Sequence, residues 1–185
     1  LLATYILDYD IGINADSIKY LNFSEDISQH GLTYLLHESL IHYPPLYPLF
    51  VSLFHNTAGN ILPDAILVNQ LLFGVNLALI CSMSYYITRS IVATAVCTLL
   101  PLSSPVLIQI HAYALSEPLF LFFALLSLWL LATYLGEGTT QKYLYLSCIP
   151  IALSIYTRYA GLPLILVGWI AMLIRNRFIL NLQLI

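Results

Sequence analysis

An all-α bundle of membrane-crossing helices is the fold class this sequence predicts, and three observations predict it. Hydrophobic residues make up 60% of the 185-residue chain and charged residues 8%, with a mean hydropathy of +0.87. A soluble domain carries about 25% charged residues, so these charges are too few to clothe a water-facing surface and lipid must cover much of it. Apolar runs of membrane-spanning length recur along the chain. The ionisable residues are also sorted: acids fall between alternate runs, and most Lys and Arg fall in the other gaps.

Residues 1–7 form the outer end of a first span. Residues 8–45 are an outer loop carrying Asp8, Asp10, Asp16, Glu25, Asp26 and Glu38. Within it, residues 16–27 fit a short amphipathic helix with Ile18, Leu21 and Ile27 on one side. Asn14 or Asp16 is placed to cap it and Gly31 to end it. Tyr43-Pro44-Pro45-Leu46-Tyr47-Pro48 cannot be helix interior, because Pro lacks an N–H donor and restricts its predecessor; it reads as a rigid turn back into the membrane. Residues 46–55 are too short to span, and five apolar runs follow at 64–88, 91–110, 118–135, 143–156 and 161–174. The whole of 46–185 is thus a set of further spans. The chain begins without Met and stops in an apolar run, so it reads as an internal piece of a longer protein, with no signal peptide visible.

Alternating crossings place Arg89, Lys142, Arg175 and Arg177 on one side and leave Lys19 and Arg158 on the other. By the positive-inside rule the first side is cytoplasmic and the acid-rich side faces outward. The expected location is an integral, multi-pass protein, in the plasma (inner) membrane if bacterial. Cys81, Cys97 and Cys148 all fall in apolar runs, and an odd number there reads as small buried hydrophobes rather than a disulfide framework. Zinc-type spacing, a phosphate-cradling Gly loop, a dinucleotide fingerprint and a basic patch are all missing from the sequence, so nucleic acid is not an expected partner. The Asn22-Phe23-Ser24 sequon is a triplet that chance often produces.

Three residues stand out because the topology brings them to one membrane face. Asp16 can cap the first helix, or serve as a general base or a cation ligand. Glu117, in Leu115-Ser116-Glu117-Pro118-Leu119-Phe120, sits where a helix begins. Pro118 suits the first helical position there and the helix dipole favours an acid, yet an ionisable residue at a bundle mouth is a functional candidate. Arg158, in Tyr156-Thr157-Arg158-Tyr159-Ala160-Gly161, lies outside against the charge trend and offers a fork of donors suited to phosphate; snorkelling to the interface is the structural alternative. His111, with Tyr113, is expected to line the outer cavity near Glu117. His30, His37, His42 and His55 read as interfacial polar residues. His37 and Glu38 are adjacent and so point different ways on a helix.

Taken in order, these segments resemble the GT-C class of polytopic glycosyltransferases, the superfamily of protein O-mannosyltransferases and aminoarabinose transferases. The motifs that carry the likeness are Asp16-Ser17-Ile18-Lys19-Tyr20-Leu21, Tyr43-Pro44-Pro45-Leu46-Tyr47-Pro48-Leu49, Leu115–Phe120 and Tyr156–Gly161. The resemblance implies transfer of a sugar, with inversion, from a polyprenyl-phosphate donor to a lipid, glycan or protein acceptor on the extracytoplasmic side. It implies Asp16 as general base or cation-binding acid, and Glu117, Arg158, Tyr20, Tyr43 and His111 as substrate contacts. A divalent metal is the implied cofactor, with Asp16 and Glu117 as candidate ligands; relatives carry paired acids in the first loop, whereas Ser17 follows Asp16 here. The alternatives are a transporter or flippase, which would place polar residues at the midplane of repeated halves, and a non-catalytic membrane scaffold.

Overall fold

The computed structural model describes residues 15–31, 44–55, 59–136 and 140–182, with side chains to residue 176. These residues form α1 (Ala15–His30), α2 (Leu46–Ser52), α3 (Leu62–Thr88), α4 (Ile91–Ser103), α5 (Pro105–Ala112), α6 (Glu117–Leu135), α7 (Lys142–Thr157), a single 3₁₀ turn (Tyr159–Gly161) and α8 (Pro163–Leu182). The described residues contain no strand.

α1 is a helix where one was expected and runs one turn further, but its buried side differs: Ile18 is 49% exposed and Leu21 only half-buried. Tyr20, Ser24 and Ile27 are buried along one side, close to the heptad-like spacing that puts residues on one helical face. It ends at Gly31, whose φ of +72° is the left-handed stop that glycine reaches without steric cost; its N–H donates to the Ile27 carbonyl at 2.8 Å. The Pro-rich run behaves differently from its expectation at one position: Pro48 lies inside α2. It is the third residue of that helix, where the N–H has no intrahelical partner to lose, so proline is tolerated. Tyr43 and the first span lie outside the described residues.

Among the described residues three helices are long and apolar enough to cross a membrane, Leu62–Thr88, Glu117–Leu135 and Tyr159–Asn176 (counted through the 3₁₀ turn); a fourth span results if α4 and α5, bent by 60° at their junction, count as one. Two of the five expected crossings therefore differ. Run 91–110 breaks because Ser104 is extended, its hydroxyl caps the next helix by accepting from the Leu107 N–H, and Pro105 opens that helix. Run 143–156 forms the 16-residue α7, about 24 Å long against a hydrocarbon core of about 30 Å.

α6 and α7 pack as an antiparallel pair, the start of one beside the end of the other, and α3 packs against α6. Buried side chains gather in two places. Near the start of α6 lie Tyr20, Tyr47, Val51, Val68 and Leu119; near its end lie Leu131, Tyr134, Ile151 and Ala171. Elsewhere hydrocarbon faces outward: only 17% of the α8 window is buried, and Ile91 and Val92 are more than 70% exposed. Cys81 and Cys148 are exposed on these outward faces, not in the core, and none of the three thiols is paired.

Cations stack on tyrosines at the end of α3, at the start of α7 and at the close of α6. Arg89 lies over the Tyr86 ring at 5.4 Å, Lys142 over Tyr143 at 5.1 Å and Arg175 over Tyr134 at 5.0 Å. Arg175 also donates to the carbonyls of Tyr134 and Gly136, closing the C-terminus of α6, where a cation complements the helix dipole.

Candidate functional site at the acidic end of the bundle

The antiparallel α6–α7 hairpin brings the N-terminus of α6 beside the C-terminus of α7. Glu117 is the first residue of α6 and Arg158 the residue that ends α7. Each charge therefore sits at the helix pole that favours it, and the two meet: Arg158 Nη1 lies 2.6 Å from Glu117 Oε1. The same guanidinium nitrogen donates to Ser116 Oγ at 3.2 Å. Ser116 in turn donates to the Tyr20 hydroxyl at 3.2 Å. A continuous polar chain thus runs from α1 through the start of α6 to the end of α7.

Ser116 occupies the N-cap position of α6, but its side chain makes no cap hydrogen bond. Instead this fully buried hydroxyl bridges a phenol and a guanidinium. Glu117 likewise turns its carboxylate to Arg158. Arg158 does not snorkel freely: its side chain is 36% exposed and engaged on one nitrogen, leaving the rest of its fork for a second anion.

Tyr20 packs edge-on against Tyr47, centroids 5.4 Å apart. Burial raises the Tyr20 phenol above its ordinary value, an effect eased by the Ser116 hydrogen bond and the nearby Arg158 charge. Burial raises Tyr47 further, with the Asn69 amide beside it. Four side-chain atoms around this place are buried without a hydrogen-bond partner: Ser17 Oγ, Tyr47 OH, Asn69 Oδ1 and Glu117 Oε2. Asp16 is exposed on the first turn of α1, one turn before Tyr20. It is the second residue of the helix and so not its cap; Asn14, the other cap expected, lies outside the described residues.

His111 is expected to line the outer cavity near Glu117. It is buried, its Nδ1 lies 2.7 Å from the Leu107 carbonyl and its Nε2 3.3 Å from Asn76 Nδ2, and it packs on Phe73 at 4.8 Å. These contacts assign the neutral ring with the proton on Nδ1, donating to Leu107 while Nε2 accepts from Asn76. Tyr113 is engaged by Gln109. His55 pairs with Asp64 at 2.7 Å, joining the end of α2 to the start of α3. His37, Glu38 and His42 lie outside the described residues. Ser24 of the sequon is buried and bonded to the Tyr20 carbonyl at 2.7 Å, so the triplet is helix rather than an open loop.

Among the described residues no three His, Cys, Asp or Glu side chains gather as a metal-binding group. Of the two expected ligands, Glu117 has one oxygen committed to a guanidinium and Asp16 stands on an exposed helical turn. Sequence reasoning missed Ser116, Tyr47, Asn69 and Asn76. The two asparagines carried a signal: polar side chains inside an otherwise apolar 27-residue helix are rarely idle. No family model, no curated protein and no solved structure matches this chain.

Proposed function

We propose that this chain is part of an integral membrane transferase that moves a sugar from a polyprenyl-phosphate donor to an acceptor hydroxyl at the outer membrane face. The observation that carries the reading is the Tyr20–Ser116–Arg158–Glu117 network. It gathers three of the four resemblance motifs at one end of an apolar bundle. In this scheme the free donors of Arg158 hold the phosphate and offset the charge that develops as the bond from phosphate oxygen to the anomeric carbon breaks. The acceptor oxygen attacks the opposite face, its proton passes to the Asp16 carboxylate, and the configuration inverts. Glu117 orients the guanidinium, and Tyr20 lines the approach. A donor with a hydrocarbon tail accounts for a charged site at the rim of apolar helices, since the tail stays in lipid.

The transporter reading draws less support. The bend between α4 and α5 is a broken span of the kind transporters use, but its flanking residues, Pro101, Ser103, Ser104 and Pro105, include no ionisable group. The test is mass spectrometry of products after membranes containing the protein are incubated with polyprenyl-phosphate sugars. Turnover is expected with the native protein and is lost in Asp16→Asn, with membrane insertion unchanged. Full activity of that variant removes Asp16 from the base role; no turnover with any donor returns the protein to the transporter or scaffold class.

A further inference from the structure

Asn69 and Asn76 are seven residues apart on α3, two turns or about 10 Å along one face. Both are buried, at 0% and 4% exposure, and both face the segment that delivers Glu117. Asn69 Nδ2 donates to the Tyr113 carbonyl at 2.5 Å and the Leu115 carbonyl at 3.3 Å. Asn76 Nδ2 donates to the Pro118 carbonyl at 3.0 Å and to His111 Nε2. The amide oxygens of both residues have no partner. Each side chain is therefore used for its N–H donors alone, and the three carbonyls it grips bracket Ser116 and Glu117.

We propose that Asn69 and Asn76 are positioning residues, a two-point clamp through which α3 sets the approach of Glu117 to Arg158. Packing alone does not explain two amides here, because a leucine fills a similar volume without burying an unpartnered oxygen. Nor are the amides needed to satisfy two of these three carbonyls. The Tyr113 carbonyl already accepts from the Leu115 N–H at 2.9 Å, and Pro118 lies in the first turn of α6, where its carbonyl belongs to the helix ladder. What the clamp adds is direction. The segment between α5 and α6 has no regular structure, and the two amides tie its path, and with it the start of α6, to α3. Its effect on turnover rests on the transferase reading; its effect on geometry does not.

The test separates the two. In a background with Cys81, Cys97 and Cys148 replaced by Ser, Glu117→Cys and Arg158→Cys are joined with a short bifunctional thiol reagent in membranes. Adding Asn69→Leu or Asn76→Leu is expected to slow crosslinking roughly ten-fold, the scale of losing one buried hydrogen bond. An unchanged rate overturns the clamp. If a Leu variant fails to insert, Asn69→Ser and Asn76→Ser serve instead: the hydroxyl bonds back to its own helix and is too short to reach α6, so the same slowing is expected and an unchanged rate again overturns the proposal. Turnover of polyprenyl-phosphate sugar is measured in parallel without the cysteine pair. A kcat that falls while KM holds supports positioning of the reacting groups; slowed crosslinking with no turnover in any variant leaves the clamp standing and the transferase reading refuted.

Discussion

Arg158 and Glu117 form a pair about one-third exposed on each side, so its contribution to stability is small, on the order of 0–1 kcal/mol. Its weight lies in geometry. A guanidinium donates to Glu117 and Ser116 from one nitrogen and holds the N–H groups of its other nitrogens in a fixed fork for a ligand, whereas a lysine carries its three N–H groups on a single nitrogen. Arg158→Lys is therefore expected to leave the thermal midpoint within a few degrees while lowering kcat/KM for a phosphate-bearing donor by roughly a hundred-fold; a stability scan with steady-state kinetics checks both halves. The buried phenols make a separate prediction. Tyr20 and Tyr47 both have raised pKa values in the folded chain, whereas unfolded tyrosines ionise near 10. Their stabilisation is complete below that pH and is lost as pH rises above it toward the folded values, because the unfolded state sheds those protons first. Unfolding followed from pH 9 to 11 should show this fall, and Tyr20→Phe together with Tyr47→Phe should flatten it.

At the scale of elements, the 3₁₀ turn after α7 decides where Arg158 points. The Arg158 N–H donates to Ser154 at 2.8 Å and its carbonyl accepts from Gly161 at 2.9 Å, so the arginine is held on both sides of its backbone. Gly161 folds tightly back on α7. An added Cβ would stand 2.8 Å from the Ile155 nitrogen and 2.9 Å from the Ser154 carbonyl carbon, and backbone atoms cannot give way cheaply. Gly161→Ala is expected to cost about 1–3 kcal/mol and to displace Arg158, read as a lower thermal midpoint together with loss of transfer. The motif Tyr156–Gly161 was legible in the sequence, but the reason its glycine matters was not, since the atoms it would strike belong to the preceding helix after a fold-back. The break at Ser104 was legible in part: Pro101-Leu102-Ser103-Ser104-Pro105 interrupts the apolar run with turn residues, and the extended Ser104 backbone fixes where it bends.

Across the whole molecule the charges divide by end. Asp16, Asp64, Glu117 and Arg158 lie toward the start of α3 and α6; Arg89, Lys142 and Arg175 lie toward their close, stacked on tyrosines. The orientation proposed from the positive-inside rule puts these cations inside. Single cysteines at Asn22 and Thr140, in intact cells and in a background lacking the native thiols, should separate cleanly: the first labelled by an impermeant maleimide, the second only after permeabilisation. The reverse pattern inverts the topology and moves the site to the cytoplasm. Composition by itself determined that the chain is helical and apolar enough for lipid, because hydropathy and charge are properties of short stretches and survive being read one window at a time. It also picked out Glu117 and Arg158 as charges at helix ends. Only the tertiary structure joined them through Ser116 to Tyr20, 96 residues away in sequence, and turned His111 into a packed, hydrogen-bonded core residue. Those outcomes depend on which helix faces meet, and for a helix apolar on every side no local pattern specifies the face.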